Sequence, residues 1–443
     1  MEIQVKFTAK QQIAFDYLTD DITTEVLFGG SAGGGKSWFG CTWLILNCIK
    51  YPETRWMMGR SKLKALKQTT LNTFFDICSD WNLTSDHYNY NAQSGEITWY
   101  NGSTIILKDL FLYPSDPNFD SLGSLEITGA FIDEVNQVTE KAKNVVSSRI
   151  RYKLDIYNLI PKLFMSCNPA KNWTYNEFYK KNKENKMEDY KQFIPALVTD
   201  NPHISKHYIS QLQKMDEVSK KRLLYGQWEY DDKTALFNYD AIIDVFKDFK
   251  YTNNKTYNNH YITCDVARKG SDKAIVKLWC GFDVIHTEIF KISLINEIVD
   301  YIKSLQTEYK IQNNRVVVDG DGVGGGVVDY IKGCYDFVNN SRALNGENYY
   351  NLKTQCYFML AKYMNDGLIS IYNWTVEQRD LTIQELAVIK RKNVDKDAKL
   401  QIISKDEMKA MIGRSTDFSD ALMMRMVLEI STKKFTDKIT VRF

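Results

Sequence analysis

The residues with the most specific chemistry form a glycine-rich segment early in the chain. Residues 30–37 read Gly-Ser-Ala-Gly-Gly-Gly-Lys-Ser and fit the phosphate-loop pattern G-x-x-x-x-G-K-S/T. In such a loop the backbone N–H groups surround nucleotide phosphates, the lysine neutralises the β- and γ-phosphates, and the hydroxyl binds Mg²⁺. Glycine is required because only a residue without Cβ lets the backbone close around the phosphates. The predicted nucleotide-binding residues of the loop are Gly30, Ser31, Ala32, Gly33, Gly34, Gly35, Lys36 and Ser37.

The sequence on either side of the loop favours a nucleotide site over an ordinary glycine-rich turn. Residues 25–28, Glu-Val-Leu-Phe, predict a strand that runs into the loop. Residues 38–46 predict a buried helix that follows it. A strand, a glycine-rich loop and a helix are the parts of a phosphate-binding motif, so we predict ATP and Mg²⁺ as ligands.

Two acidic residues follow another apolar segment. Residues 127–132 predict a strand, and Asp133 and Glu134 come directly after it. In a phosphate-loop ATPase the first carboxylate belongs to the Mg²⁺ site and the second polarises the attacking water. Acidic pairs after strands are common, so this prediction depends on the phosphate loop upstream. We predict Asp133 as a Mg²⁺ ligand together with Ser37, and Glu134 as a catalytic residue together with Lys36.

Two polar side chains are weaker candidates for nucleotide contacts. Asn168 follows the strand predicted for residues 161–167 and is a candidate for contacting the γ-phosphate. An ordinary exit from strand to turn explains this residue equally well. Gln11 lies just before the first predicted helix and is a candidate for contacting the adenine edge, with an aromatic residue on the base. The alternative for Gln11 is a polar residue on a helix surface.

Arginine is scarce in the part of the chain that carries these motifs. None lies between Arg60 and Arg149. An arginine that stabilises the charge on the transferred phosphoryl group must therefore come from few places. Arg149 and Arg151 lie at the end of the helix predicted after the acidic pair, and Arg60 follows the second predicted strand. The alternative for each is an exposed charge that contacts no phosphate.

The second half of the chain carries a different set of acidic residues. Asp265 and Asp319 each end an apolar strand, and Asp417 and Asp420 open the last predicted helix on one shared face. Such hard oxygen ligands bind pairs of Mg²⁺ or Mn²⁺ ions that cleave phosphodiester bonds. For any one acid a solvated turn is the simpler interpretation, but the order strand, strand, helix predicts a metal-dependent nuclease site. Asp321 is either a further ligand or a turn residue.

Bulk composition limits the possible classes of protein. A chain of 443 residues is too long for one hydrophobic core, which predicts two domains. The net charge of +2 gives no overall basic field, so a surface for DNA must be local. Eight cysteines without a C-x-x-C pair predict free thiols in a reducing cytoplasm. No signal peptide or membrane-spanning apolar run is recognisable, so we expect an intracellular protein without a membrane partner.

The order of the predicted elements gives an α/β fold with two domains. Residues 1–230 alternate strands and helices and predict a phosphate-loop ATPase domain with a mostly parallel sheet. Residues 231–255 are largely polar and predict a linker. Residues 256–443 open with a strand meander and predict a second α/β domain that carries the nuclease acids.

The order of these motifs resembles the large terminase subunit of tailed bacteriophages over nearly the whole chain. The phosphate loop, the acidic pair and residues 166–169 resemble the loop, acidic and coupling motifs of the terminase motor. Residues 224–228, Leu-Tyr-Gly-Gln-Trp, resemble the segment that ends the motor domain. Asp265, Asp319 and the D-x-x-D-A-L helix resemble the acids of a nuclease related to RNase H and the Holliday-junction resolvases.

The resemblance implies a viral enzyme that packages DNA. ATP hydrolysis would drive double-stranded DNA through a portal protein into the procapsid, and a Mg²⁺- or Mn²⁺-dependent endonuclease would cut concatemeric DNA at the start and end of packaging. A small terminase subunit would select the DNA, and a ring, usually of five subunits, would form on the portal. We expect a monomer in solution in the host cell cytoplasm, transiently at the portal and not in the mature virion.

One departure from the family concerns arginine. Some relatives carry an arginine that acts on a neighbouring subunit shortly before the acidic pair, but residues 115–132 contain none here. Arg149 and Arg151 are therefore the candidates for this function. Because both follow the acidic pair, whether they act on a neighbour stays open at this point.

Two other functions are alternatives. A helicase–nuclease of DNA repair would need a second motor-like domain, whereas the residues after 255 change to a nuclease-like meander. A DNA-binding assembly factor with decayed sites would not need an intact Lys36, Glu134 or strand-end acids. DNA-stimulated ATP hydrolysis and Mn²⁺-dependent cutting of plasmid DNA would separate the three functions.

Overall fold

Two β-sheets organise the chain, one in each of two units. The first unit comprises Met1–Asp231 and the second Asp232–Phe443. None of the described helices is both long and apolar enough to cross a membrane. The computed structural model describes residues 4–113, 115–116, 118–230, 232, 234–251, 259–266, 274–290, 294–322, 324–392 and 398–436.

The first unit alternates strands and helices as the sequence predicts. Its strands are β1 Glu25–Gly30, β2 Arg55–Arg60, β3 Tyr88–Asn91, β4 Glu96–Trp99, β5 Thr104–Asp109, β6 Gly129–Ile132, β7 Lys162–Cys167 and β8 Lys191–Ala196. Its α-helices are α1 Ala9–Thr19, α2 Lys36–Lys50, α3 Leu63–Gln68, α4 Thr70–Asp80, α5 Glu140–Ser148, α6 Leu154–Tyr157, α7 Lys181–Lys183, α8 Lys206–Gln213 and α9 Glu217–Ser219. Short 3-10 turns lie at Asp120–Leu122, Val135–Gln137 and Val198–Asp200, and π-helical turns at Tyr175–Lys180 and Lys220–Leu224.

The sheet of the first unit is mostly parallel. Its strand order is β3-β4-β5-β2-β6-β7-β1-β8, and every pair from β5 to β8 in this order is parallel. Only β3, β4 and β5 pair antiparallel in this sheet, and the turn at residues 101–102 joins β4 and β5 in a hairpin. The carboxyl ends of β1, β2, β6, β7 and β8 therefore share one edge.

Alternation along β1 explains how this sheet is covered on both faces. Val26 and Phe28 point to one face and belong to a core that includes Phe39 of α2. Leu27 points to the other face and packs in a core that includes Val146 of α5. Because both faces are covered, all six residues of β1 are buried, which is why the strand reads as a continuous apolar run.

One predicted helix is interrupted. The sequence predicts a single helix from Ser61 to about residue 80, but α3 and α4 are separated at Thr69, whose φ and ψ are −129° and −78°. The break directs the hydroxyl of Thr70 toward Asp133, to which it donates a hydrogen bond at 2.6 Å. The break between α3 and α4 therefore places a hydrogen-bond donor beside Asp133, the first residue of the acidic pair.

The second unit contains a meander of three antiparallel strands and a flanking parallel pair. Its strands are β9 His260–Asp265, β10 Ala274–Cys280, β11 Asp283–Phe290, β12 Val316–Asp319, β13 Tyr335–Phe337, β14 Ser370–Ile371, β15 Arg391–Lys392 and β16 Gln401–Ile402. Its α-helices are α10 Tyr239–Asp244, α11 Ile295–Tyr309, α12 Gly324–Tyr330, α13 Leu352–Asn365, α14 Val376–Val388, α15 Lys405–Ile412, α16 Asp417–Met423 and α17 Met426–Thr436, with 3-10 turns at Asn313–Arg315 and Leu344–Gly346.

The main sheet of the second unit has the order β13-β12-β9-β10-β11-β14. Strands β9, β10 and β11 pair antiparallel, while β12 and β13 lie parallel on the other side of β9. Numbered within the unit, strands β11, β10, β9, β12 and β13 run 3-2-1-4-5 across a mixed sheet, which confirms the predicted α/β fold class. Since β9 and β12 are parallel neighbours, Asp265 and Asp319 end at the same edge.

The segment predicted as a linker differs in the structure from the expectation. Within residues 231–255, the apolar side chains of Leu236, Phe237, Ile242 and Val245 are buried in the core of the second unit, and α10 lies among them. Burial of these side chains stabilises packed structure rather than an open connection. Residues 252–258, which include most of the predicted polar run, lie outside the described residues.

Candidate active sites

The phosphate loop connects the end of β1 to the start of α2. Gly33 and Gly35 have φ angles of +80° and +74°, in the left-handed region that residues with a Cβ rarely adopt. At Gly30 an added Cβ would lie 1.9 Å from the carbonyl oxygen of Ala196 in β8. These three positions therefore need glycine, either for the backbone conformation or for the close approach of another strand.

The loop lysine is buried and held by the protein itself. Lys36 is 7% exposed, and its Nζ donates to the Ser31 carbonyl at 2.5 Å and to Asn168 Oδ1 at 3.2 Å. Burial lowers the pKa of Lys36, and the carboxylates of Glu134 and Asp133 oppose this decrease. Asn168 thus lies at the phosphate loop, in direct contact with the residue expected to neutralise phosphate charge.

The Asp133 carboxylate gathers side chains from four elements. Its Oδ1 accepts hydrogen bonds from the hydroxyls of Ser37, at 3.0 Å, and Ser166, while its Oδ2 accepts one from Thr70. Arg60 Nη1 lies 3.9 Å from Oδ2. The hydroxyl of Ser37 and the carboxylate of Asp133 are neighbouring hard oxygen ligands, so this pair fits a Mg²⁺ ion.

Glu134 has an unusual backbone conformation and a perturbed carboxyl group. Its φ of 50° lies in the left-handed region, which is uncommon for a residue with a side chain. Asn168 Nδ2 donates to Glu134 Oε1 at 3.3 Å, so Asn168 bridges this acid to Lys36. Burial and the charge of Asp133 raise the pKa of Glu134, and Lys36 opposes the increase. A raised pKa suits a residue that accepts a proton from water.

Gln11 contacts the phosphate loop rather than open space. Its Nε2 donates to the Gly35 carbonyl at 3.3 Å, and its Oε1 accepts from Thr8 N at 3.0 Å, completing a capping box at the start of α1. The aromatic residue beside it, Phe7, packs on Phe15 with ring centroids 5.2 Å apart. Gln11 therefore supports the loop, and its expected contact with an adenine edge stays a prediction, since each amide atom can make a second hydrogen bond.

Arg149 and Arg151 lie at the opposite edge of the sheet from the acidic pair. The N–H of Ile127, which precedes β6, donates to the Arg149 carbonyl at 3.1 Å, so this segment lies at the amino end of the strand. Asp133 follows at the carboxyl end, about 20 Å away at the rise of a strand. Arg151 pairs with Glu126 at 3.3 Å. Neither side chain therefore reaches the nucleotide site of its own chain.

Two other arginines face the acidic pair. Arg60 lies beside Asp133, and Arg222 donates from Nε to the Pro169 carbonyl at 3.0 Å. Against the increase caused by burial, the charges of Arg60 and Arg222 lower the pKa of Glu134. These two arginines are the ones that lie near the nucleotide site within the described part of the first unit.

The nuclease candidates of the second unit surround one cavity of about 590 Å³. Asp265 and Asp319 line it from the ends of β9 and β12, and Asp417 lines it from the start of α16. Lys353 and Lys405 contribute positive charge to the same wall. Three of the four predicted acids thus meet at one opening, as the order strand, strand, helix predicts for a shared site.

Asp265 is the least satisfied acid of this cavity. It is 5% exposed, and its Oδ2 has no hydrogen-bond partner in the described structure. Burial and the charges of Asp420, Asp417 and Asp319 raise the pKa of Asp265 well above its ordinary value. A buried carboxylate among like charges gains most from a cation, so Asp265 fits a metal ligand. Among the described residues, however, no group of three or more acidic, histidine or cysteine side chains is placed to hold a metal ion.

Asp420 is held by the protein, unlike Asp265. Its Oδ1 accepts from Tyr357 at 2.6 Å and pairs with Lys353 at 2.7 Å, and its Oδ2 accepts from Thr416 at 3.0 Å. Burial opposes its ionisation, but Lys353 and Lys405 lower the pKa of Asp420 below its ordinary value. Asp420 is thus anchored as an anion beneath the cavity, while Asp417 of the same helix lines the cavity.

Asp321 takes part in a turn beside Asp319. Its N–H donates to Asp319 Oδ1 at 3.0 Å, and its Oδ2 accepts from Asn339 Nδ2 at 2.8 Å. The same amide of Asn339 lies 3.2 Å from both Asp319 oxygens. Asn339 therefore fixes the orientation of Asp319. Asp321 both takes part in this turn and lines the cavity, so the turn and the ligand interpretation both stay predictions.

A family model described as the phage terminase large subunit matches residues 22–258, more than half of the chain. The chain belongs to this family. A comparison with curated proteins gave no significant match.

Solved terminase structures are similar to this large subunit at low identity. The large terminase of a thermophilic bacteriophage is 15% identical, with 96% of this chain and 100% of that chain covered at a TM-score of 0.43. The same terminase in complex with ATP-γ-S is 16% identical, with 93% of this chain and 98% of that chain covered at a TM-score of 0.41. A third similar structure is a mutant nuclease domain of the large terminase subunit of bacterial virus Sf6 with manganese. It is 20% identical, with 43% of this chain and 98% of that chain covered at a TM-score of 0.35.

Several polar residues at the two sites of this terminase subunit have no sequence signature. Thr70, Asn339, Lys353 and Lys405 are brought to the acids only by tertiary folding. Arg222 lies just before the segment that resembles the end of the motor domain, which is the one signal that could have drawn attention to it.

Replacement of Asp265 by asparagine is expected to stabilise the metal-free protein. Because the folded state raises the pKa of Asp265, this carboxyl group costs stability above the raised pKa, and the cost decreases as the pH falls below it and is gone at the ordinary pKa of the unfolded chain. Asp265→Asn should increase Tm in EDTA at pH 8 by about 3 °C or more, since 1 kcal/mol shifts Tm by about 2–4 °C for a unit of this size.

Calorimetry of the full chain at pH 8 and at lower pH would measure this gain. The exposed Asp366→Asn is the matched control and should leave Tm nearly unchanged. A decrease in Tm for Asp265→Asn at pH 8 would contradict the electrostatic description of the cavity.

Proposed function

We propose that this terminase large subunit hydrolyses ATP in its first unit to translocate double-stranded DNA, and cuts DNA with metal ions held in its second unit. The observation that carries the motor assignment is the pair of hydrogen bonds at Asn168, which accepts from Lys36 and donates to Glu134. One side chain connects the cation expected at the phosphates with the acid expected to polarise the attacking water.

In the first unit, Ser37 and Asp133 would hold Mg²⁺, which supplies positive charge to the transferred phosphoryl group. Three hydroxyl donors keep the Asp133 carboxylate in one orientation. Lys36 neutralises the β- and γ-phosphates, and Glu134 accepts a proton from the attacking water. Asn168 would respond to the γ-phosphate through its hydrogen bonds with Lys36 and Glu134.

In the second unit, Asp265, Asp319 and Asp417 would hold Mg²⁺ or Mn²⁺, which activates water and stabilises the leaving oxygen of a phosphodiester. The unpartnered Oδ2 of Asp265 supports this function. Lys353 and Lys405 line the same cavity, where positive charge suits a DNA phosphate. The unit would cut concatemeric DNA at the start and end of packaging.

Assembly on a portal completes the proposal. A net charge of +2 favours weak DNA binding by one subunit, because affinity comes mostly from phosphate neutralisation. A ring, with five subunits as in other terminases, would add several weak contacts around one duplex. The partners would be the portal protein and a small terminase subunit in the host cytoplasm. The distance of Arg149 and Arg151 from their own loop favours action on a neighbouring subunit.

Glu134→Gln should separate nucleotide binding from turnover. The amide keeps the size of the side chain but cannot take a proton, so ATP binding should stay within about threefold while DNA-stimulated hydrolysis falls by about 10²-fold or more. Binding of a fluorescent ATP analogue and phosphate release would measure the two effects. Glu53→Gln, at an exposed carboxylate, is the control, and normal turnover in Glu134→Gln would refute the motor assignment.

The two activities should be separable at Asp265. Asp265→Asn should lose Mn²⁺-dependent cutting of plasmid DNA by about 10²-fold or more while DNA-stimulated ATP hydrolysis is kept, because the motor residues lie in the other unit. Gel analysis of plasmid and phosphate release on the same preparation would measure both. Unchanged linearisation by the variant would show that the acids of this cavity do not form the nuclease site.

Mixing two inactive subunits would test whether Arg149 acts on a neighbour. Arg149→Ala keeps its own Glu134, and Glu134→Gln keeps its own arginine. In a mixed ring assembled on DNA or portal, a Glu134→Gln subunit should supply the arginine to an Arg149→Ala neighbour, so that activity partly recovers. An arginine of this kind contributes on the order of 10³-fold in rate. A loss that is additive at every mixing ratio would exclude the arrangement.

A further inference from the structure

Helix α16 begins without a cap from its own sequence. Thr416 occupies the N-cap position, but its side chain makes no capping hydrogen bond. Its hydroxyl donates instead to Asp420 Oδ2 at 3.0 Å. The first N–H groups of a helix have no intrahelical partner, and a buried helix start needs an acceptor from elsewhere. The acceptor must therefore come from another element.

Glu385 of α14 supplies this acceptor. Its Oε2 accepts a hydrogen bond at 2.8 Å from the N–H of Ser419, the third residue of α16 and a position that an N-cap side chain commonly serves. Glu385 is 0% exposed, and its other oxygen pairs with the guanidinium of Arg414. Both carboxylate oxygens are thus engaged, and Glu385 is not among the residues that line the metal cavity.

Arg414 connects this carboxylate to both ends of the junction. Its Nη2 donates to the Leu381 carbonyl, at 3.1 Å, one turn before Glu385 in α14. Its Nη1 donates to Glu385 and also lies 3.3 Å from the Ser415 carbonyl, just before α16. The ion pair therefore ties the start of α16 to the body of α14.

The acids of α16 lie next to this junction. Asp417 is two residues before Ser419, and Asp420 is one residue after it. A shift of the helix start by one residue would move Asp417 by about 1.5 Å along the helix axis. Metal–ligand distances tolerate only about 0.2 Å. Placement of these two acids relative to Asp265 is therefore sensitive to the length of the side chain at position 385.

We propose that Glu385, held by Arg414, is a positioning residue that sets the start of α16 and thereby the metal affinity of the nuclease cavity. The proposal rests on the proposed nuclease function. It predicts that the length of the side chain at position 385 matters more for metal binding than its charge.

Two conservative variants separate length from charge. Glu385→Asp keeps the charge but withdraws the acceptor from Ser419, so the Mn²⁺ concentration for half-saturation should rise by about 10-fold or more, as for loss of outer-shell support. Glu385→Gln keeps the length and one amide oxygen for the Ser419 N–H but loses the ion pair with Arg414, so its half-saturating Mn²⁺ concentration should rise clearly less than that of Glu385→Asp. Titration of the full chain with Mn²⁺, followed by electron paramagnetic resonance of the free ion, measures binding directly, and plasmid cutting is measured in parallel.

A matched control removes a similar ion pair elsewhere in the unit. Arg425, 1% exposed, lies just before α17 and donates to Glu429 of that helix at 2.8 Å. Glu429→Ala should lower Tm but leave the half-saturating Mn²⁺ concentration unchanged. Mn²⁺ binding by Glu385→Asp equal to that of the original protein, or equal impairment of Glu385→Gln and Glu385→Asp, would overturn the positioning role. Failure of the original protein to bind Mn²⁺ or cut DNA would instead overturn the proposed nuclease function, and the positioning role with it.

Discussion

Parallel pairing in register is the constraint on which the nucleotide site depends. Strands β6, β7 and β1 lie side by side, with Ile132 opposite Met165 and Gly29 opposite Cys167. The residues that follow these positions leave the sheet at one edge, so the acidic pair, Asn168 and the phosphate loop meet there. A slip of one residue would turn each side chain to the opposite face. The backbone ladder, more than any side-chain contact, therefore brings these groups together.

The two sites manage buried charge in opposite ways. In the first unit Lys36 and the acidic pair lie together, and hydroxyl and amide groups satisfy the carboxylates. In the second unit Asp420 pairs with Lys353, but Asp265 keeps a buried oxygen that has no hydrogen-bond partner among the described residues. An unsatisfied buried carboxylate costs stability unless a cation is bound. The second site is therefore the more dependent on a metal ion for its electrostatic balance.

Local patterns predicted the parts of the sites that are contiguous in sequence. The phosphate loop, the acidic pair and the strand-end acids Asp265 and Asp319 were found in this way, because each follows a strand that the apolar pattern reveals. Thr70 was missed because it depends on an interruption within a predicted helix. Glu385 was missed because its partner, the Ser419 N–H, is a backbone group of another helix. Arg149 was chosen as a candidate for stabilising phosphoryl charge because arginine is scarce in this part of the chain. That criterion does not indicate at which edge of the sheet Arg149 lies.

The boundary of the second unit shows the same limit. A polar segment predicts a linker, but a few apolar residues within it are enough to anchor the chain, since burial of each large side chain contributes about 1.5–3 kcal/mol. Leu236, Phe237 and Ile242 are such residues. The average composition of residues 231–255 does not reveal these three residues, although each of them packs in the core of the second unit.

The left-handed backbone conformation of Glu134 would influence which substitutions accumulate at this position in the absence of selection for activity. A side chain in this conformation costs about 1–2 kcal/mol, which glycine would avoid. At 1.4 kcal/mol per factor of ten, relief of this strain would favour the folded state by about 5- to 30-fold. Replacement of this proposed catalytic acid by glycine would therefore increase stability, so a glycine at position 134 would be an early mark of a chain that has lost the proposed ATP hydrolysis.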